Sequence, residues 1–195
     1  MMSDALAVVL SKIDELNSAD PIKERVNGVE KPRELAYSQR LTDWVLRLDP
    51  EASLALRIAA RGQHVQRWKI PRESYPMTRA GYLKWREALK TFHADTVAVI
   101  MAAAGFAPEM IQRVRRLISK KDLKTDADTQ TLEDALCLLF LETQLDDLRA
   151  KTPDEKMLDV ARKTWGKMSE RAKALAVKLP LSEDNKAFLR RALGL

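Results

Sequence analysis

Residues 132–142, LEDALCLLFLE, decide the fold. The run is apolar almost all round a helical wheel, which marks a helix buried on every side rather than one lying on a surface. Glu133 and Asp134 are the only charges within it before the closing Glu142. The helical pattern around it extends over 128–149, so this is the expected central helix. Working outward, every other apolar segment also has helical period. Residues 3–16 carry Leu6, Val9, Leu10, Ile13 and Leu16 on one face, and 33–48 carry Leu35, Leu41, Val45 and Leu48. Pro50 stops that helix and suits the start of the next, 51–68. A fourth covers 79–104 and ends at Gly105. A short one follows Pro108 and carries Met110, Ile111, Val114, Leu117 and Ile118. Two more, 153–178 and 182–193, follow Pro153 and Pro180.

The polar or proline-bearing stretches 17–32, 69–78 and 119–128 read as loops, and no segment alternates convincingly as a strand. The sequence predicts an all-α, single-domain helical bundle over 1–195 with about seven to eight helices and essentially no sheet.

Composition narrows the class. A chain of 195 residues can fill one domain, and its ordinary apolar fraction with charges of mixed sign argues against disorder. Cys137 is the single cysteine, so an internal disulfide is excluded, and its place in the apolar run reads as a small buried hydrophobe. The N-terminus has no cationic start, and Lys12 and Asp14 break its apolar run. Neither a signal peptide nor a membrane span fits, and a cytoplasmic protein with no membrane partner is expected.

The charge is concentrated. Residues 57–93 hold nine Lys/Arg against two Glu, a formal +7, while the whole chain carries +6. The excess lies in one place, so a small anionic ligand competes well with a nucleic acid as the partner. Six of the nine cations are Arg57, Arg61, Arg67, Arg72, Arg79 and Arg86, and guanidinium is the better fork for phosphate or carboxylate. Arg57, Arg61 and Arg86 fall on core-facing arcs, where a charge needs an acidic partner or a bound anion. Two readings stay open: an anion pocket, or an internal salt-bridge network in which Glu133 and Asp134 neutralise two of the arginines. Trp68, Tyr75, Tyr82 and Trp85 offer a stacking wall for a base, or simply core.

The same stretch holds both histidines, His64 and His93. With Asp134 they come from three helices and lie on or beside buried faces, a common way to build a divalent-metal site in a bundle. The alternative is that each histidine is a hydrogen-bonded core residue and the acids pair with arginines. No short metal motif decides between them.

PRELAYSQR, AARGQHVQRWKIPRESYPMTRAGYLKWR, FHAD, TQTLEDALCLLFLE and KTWGKMS together resemble the domain-of-unknown-function 4202 family, over nearly the whole chain. That resemblance implies an intracellular protein without a settled activity. A weaker similarity is to the His–Asp (HD) superfamily of metal-dependent phosphohydrolases, which are all-α. It implies an HD-like core over 33–150 with flanking helices at 1–20 and 153–195. Gln39 stands where the first His is expected, and Gln63–His64 replaces the His–Asp doublet. His93 and Asp134 match an additional His and the late Asp, and Lys120 takes the place of another His. Glutamine is a poor metal ligand, so ordinary HD hydrolysis through a metal-generated hydroxide is not implied.

The expectation is a basic pocket for a phosphorylated small molecule or nucleotide. In its catalytic version His64, His93 and Asp134 hold one divalent ion, Glu133 is the base, the arginines hold phosphate, and Gln39, Arg40, Gln63, Trp68 and Tyr82 line the pocket. The alternative is a non-enzymatic nucleotide- or RNA-binding module on the same scaffold.

Overall fold

A computed structural model describes residues 2–26, 28–123 and 125–194, with backbone alone at Met2 and Ser3. One residue in each of the segments 17–32 and 119–128 thus lies outside the described residues. Among those described there are ten α-helices and one two-stranded hairpin, so the protein is predominantly all-α, as the periodicity predicts. In order these are α1 (Met2–Ser18), β1 (Lys23–Val26), β2 (Val29–Pro32), α2 (Arg33–Leu48), α3 (Leu54–Gly62), α4 (Arg79–Ala103), α5 (Pro108–Ile118), α6 (Ala127–Thr143), α7 (Leu145–Ala150), α8 (Asp154–Trp165), α9 (Glu170–Ala176) and α10 (Glu183–Leu193). The chain divides into two compact units, Met1–Asp122 and Leu123–Leu195. The boundary falls in the polar 119–128 connection.

In the first unit α3 packs on α1, α2 and α5, and α4 packs on α5. Val9, Ile13, Leu41, Val45, Leu56, Ile58, Val97, Leu117 and Ile118 are fully or almost fully buried. Each such side chain contributes about 1.5–3 kcal/mol, against about 1 kcal/mol for a typical hydrogen bond, so the apolar stripes decide which helices meet. Small and polar residues then set how closely they meet. A Cβ on Gly62 would lie 2.4 Å from Val97 Cγ2, so only glycine lets the end of α3 approach α4 here. That approach lays residues 63–66 against α4 one turn before Val97, where His93 sits.

Three buried polar residues fix this corner. Asp20 is fully buried; one carboxylate oxygen accepts from the Ile22 N–H and the other from the Glu34 N–H, both at 2.9 Å. It thereby caps α2 from a distance, because Pro32 at the N-cap has no side chain to do so. Asn17, also fully buried, accepts from the Gln66 N–H at 2.9 Å and donates to Glu34 O at 3.5 Å. Gln66 has φ +50, a left-handed conformation costly for a residue with a Cβ, and the Asn17 bond helps hold it. The helix expected over 51–68 therefore stops at Gly62. Ser53 caps its start by accepting from the Leu56 N–H, and turns follow.

The second unit is built on α6. Eight of the ten residues 132–141 are buried, which is what its all-round apolarity predicts. α6 packs on α9 and α7, and α8 packs on α10. Two expected helices are each divided. The 128–149 helix breaks at Gln144 (φ −125°), and Asp146 and Asp147 favour the start of a fresh helix, α7. The 153–178 helix breaks at Gly166, and Ser169 caps α9 by accepting from the Ala172 N–H. The hairpin was not expected: β1 pairs antiparallel with β2 from Lys23 opposite Pro32 to Val26 opposite Val29.

Candidate functional site

His64 is the centre of the polar cluster in the first unit. Its ring stacks on Tyr37 (centroids 4.2 Å apart, planes 8° apart) and lies 5.9 Å from the His93 ring. Its Nδ1 is 3.3 Å from an oxygen of Glu34, a carboxyl only 4% exposed. His93 is buried and donates from Nδ1 to Val65 O at 2.9 Å, which leaves Nε2 as the lone-pair nitrogen. That nitrogen is buried and has no partner among the described residues.

Protonation follows from these surroundings. Burial first, and then the charges of Arg67, Lys120, Arg86 and Arg33, push His64 well below its ordinary 6.5. Burial, followed by His64, lowers His93 to about 3. Burial raises Glu34, partly offset by Arg67 and Arg33. The His64–Glu34 contact is therefore not an imidazolium–carboxylate pair at neutral pH, since both partners are biased toward their neutral forms. An imidazole held neutral, backed by a carboxyl group and bordered by four cations, can accept a proton while the cations hold an anion.

Of these cations Arg33 lies 3.6 Å from a Glu34 oxygen, whereas Arg67 and Arg86 have no ion pair among the described residues. The Arg67 guanidinium lies 4.8 Å from the centroid of the Trp85 ring, and burial lowers its basicity. Among the described residues it has no hydrogen-bonded acceptor and no carboxylate within 4 Å. Trp85 itself is buried and anchored by donating to Ile70 O at 2.9 Å. Arg72 lies 5.9 Å from the same ring and 6.0 Å from Tyr82, and Arg86 lies 5.8 Å from the Tyr82 ring and donates to its hydroxyl. Arg67, Trp85, Arg72, Tyr82 and Arg86 thus form a ladder of alternating guanidinium groups and rings.

The other expected site residues have other work. Arg61 donates to both oxygens of Asp14 (2.9 and 2.7 Å) and to Thr42 Oγ1, so its charge is met by α1 and not by a ligand. Gln39 also faces Asp14, at 3.4 Å, and Arg40 pairs with Glu24 at 3.1 Å. Arg72 donates to the carbonyls of Tyr75, Pro76 and Thr78, which clamps the 69–78 loop. Gln63 is buried and donates to Ile118 O, while Trp68 is half-buried and Arg79 exposed. Arg57 is half-buried with an unpartnered Nε. In the second unit Asp134 accepts from Ser169 N–H (2.8 Å), Ser169 Oγ (2.5 Å) and Gln130 Nε2 (2.9 Å), and Glu133 lies 3.2 Å from Lys167.

The expected metal set does not fit this arrangement. His64 and His93 come together in the first unit, but Asp134 is occupied within the second by three donors. Among the described residues no three His, Cys, Asp or Glu side chains are grouped to hold a metal ion.

A family model described as domain of unknown function DUF4202 matches residues 7–189. The chain belongs to the DUF4202 family. The match spans both units, so each belongs to what the family shares. No curated protein and no solved structure matches the chain. Among the described residues no helix is long and apolar enough to cross a membrane.

Glu34, Tyr37 and Arg33 were missed as site residues. All three lie in PRELAYSQR, directly before and within the α2 stripe, and a polar cluster so close to a helix start was the available signal. Asn17 and Asp20 left no such trace.

Proposed function

We propose that this DUF4202 protein binds a phosphorylated small molecule, a nucleotide by preference, at the cations facing His64. The observation that carries this is Arg67: a half-buried guanidinium 4.8 Å from the Trp85 ring centroid, with no hydrogen-bonded acceptor among the described residues. A buried donor set of this kind favours a bidentate oxyanion. Arg33, Arg86 and Lys120 add to the same potential, and Tyr37, stacked on His64, offers a ring for a base. The setting suits the cytoplasm, where phosphorylated metabolites abound and Cys137 stays reduced.

A second reading adds hydrolysis, and Glu34 behind His64 favours it. In this version His64 accepts a proton from the attacking water while Arg67 holds the phosphate. The distant HD similarity points the same way, although among the described residues no three ligating side chains are grouped to hold that superfamily's metal.

The test is calorimetry with phosphate, AMP and ATP on the parent protein, Arg67→Ala and Arg79→Ala. Binding to the parent that is lost in Arg67→Ala and kept in Arg79→Ala is expected. No binding of any phosphorylated compound, or binding indifferent to Arg67, overturns the reading. Phosphate release abolished by His64→Gln, with binding kept, marks the hydrolytic version.

A further inference from the structure

We propose that the ligand of this site is the phosphorylated end of a single-stranded nucleic acid, whose following nucleotides run outward over the Arg72–Tyr82–Arg86 surface. This rests on the anion site above and extends it.

One phosphate at Arg67 leaves most of the surface charge unanswered. Arg72 is met only by backbone carbonyls and Arg86 only by the Tyr82 hydroxyl, and exposed Arg79 has no ion pair among the described residues. Of the two glutamates of 57–93, Glu87 is taken by Lys90 at 3.0 Å, and exposed Glu73 makes no ion pair with these arginines among the described residues. A strand supplies one negative charge per nucleotide, which is what such a row of cations lacks. It also supplies bases. Tyr82 is 41% exposed, tilted against buried Trp85 with centroids 5.8 Å apart, and flanked by exposed Leu83. Rings beside guanidinium groups are the usual platform for unpaired bases, and each stacked base adds sequence-independent affinity. An anionic membrane would instead favour projecting lysines around an unbroken apolar face. Here the arginines lie against rings, and the ladder leads inward to His64.

The experiment uses the full chain and an oligoribonucleotide of about ten nucleotides, a length within the range one such platform covers, labelled at its 3′ end and carrying a 5′-phosphate. Binding is read by fluorescence anisotropy from 50 to 300 mM salt, beside AMP by calorimetry. The strand should bind at least about tenfold tighter than AMP, with log affinity falling about 0.7 per phosphate contact against log salt. Tyr82→Ala should cost the strand about tenfold and leave AMP unchanged, with Tyr82→Phe restoring it. Arg67→Ala should weaken both ligands.

AMP binding with no gain for the strand overturns this inference and leaves the small-molecule reading standing. Strand binding indifferent to Tyr82→Ala, or to Arg67→Ala, overturns it as well. Binding to phosphatidylserine vesicles without binding to the strand assigns the surface to membrane and sinks the proposal. If neither AMP nor the strand binds, both readings fall together.

Discussion

Asp134 and Glu34 are both buried carboxyl groups, yet they are held for different reasons. Asp134 has three donors on its two oxygens and works as a brace between α6 and the start of α9. Glu34 has its backbone tied by Asp20 and Asn17 while its carboxyl is turned to His64. The sequence shows that Asp134 is buried, because it interrupts an apolar run, but its partner Ser169 is 35 residues away and periodicity cannot reveal it. Glu34 is harder still, since an acid in the first turn of a helix is what the helix dipole favours, buried or not. The two are separable by mutation. Asp134→Asn turns one acceptor into a donor facing Ser169 and should cost about 1–3 kcal/mol, read as a lower urea midpoint, with AMP affinity unchanged. Lost AMP binding at unchanged stability would return Asp134 to the site.

At the scale of elements, the helices were legible where an apolar stripe runs from a clear start to a clear stop. α2 occupies the 33–48 that its pattern predicts, and α4 and α10 deviate by a residue. Elements that depend on a cap or a turn were lost. The Ser169 cap and the Gln144 break each split one expected helix, and the hairpin was signalled only by the dipeptide Asn27–Gly28 between two charged tetrapeptides. Gly62 is the element-scale feature on which the site depends, because it sets the α3–α4 distance and hence where residues 63–66 meet His93. Gly62→Ala should destabilise the protein by about 1–3 kcal/mol through overpacking. Val97→Ala removes the methyl that the new Cβ would strike at 2.4 Å. The double variant should therefore be more stable than the sum of the two losses, by about 0.5 kcal/mol or more. Strict additivity in urea unfolding would show that the contact does not set the distance.

Stability against pH belongs to the whole molecule, and the cluster around His64 gives it a definite sign. Both histidines are held neutral in the fold, His93 down to about 3 and His64 well below 6.5. As pH falls through 6.5 the unfolded chain takes up protons that the native histidines refuse. Stability is then lost, by up to about 1.4 kcal/mol per pH unit for each group, until the native value is reached. Glu34 acts in the opposite sense. Its native value is raised above 4.5, so its contribution is fully present below 4.5 and is lost as pH rises through the native value. The two histidines outweigh this single carboxyl, and the melting temperature should fall steadily from pH 6.5 to 4.5. His93→Gln keeps a side-chain N–H able to reach Val65 O and removes one titrating ring. It should flatten that slope by the share of one histidine, at some cost in stability at pH 7.5. A melting temperature level across this range in the parent would mean that the native histidines take up protons like free ones. The neutral imidazole on which the hydrolytic reading depends would then be gone.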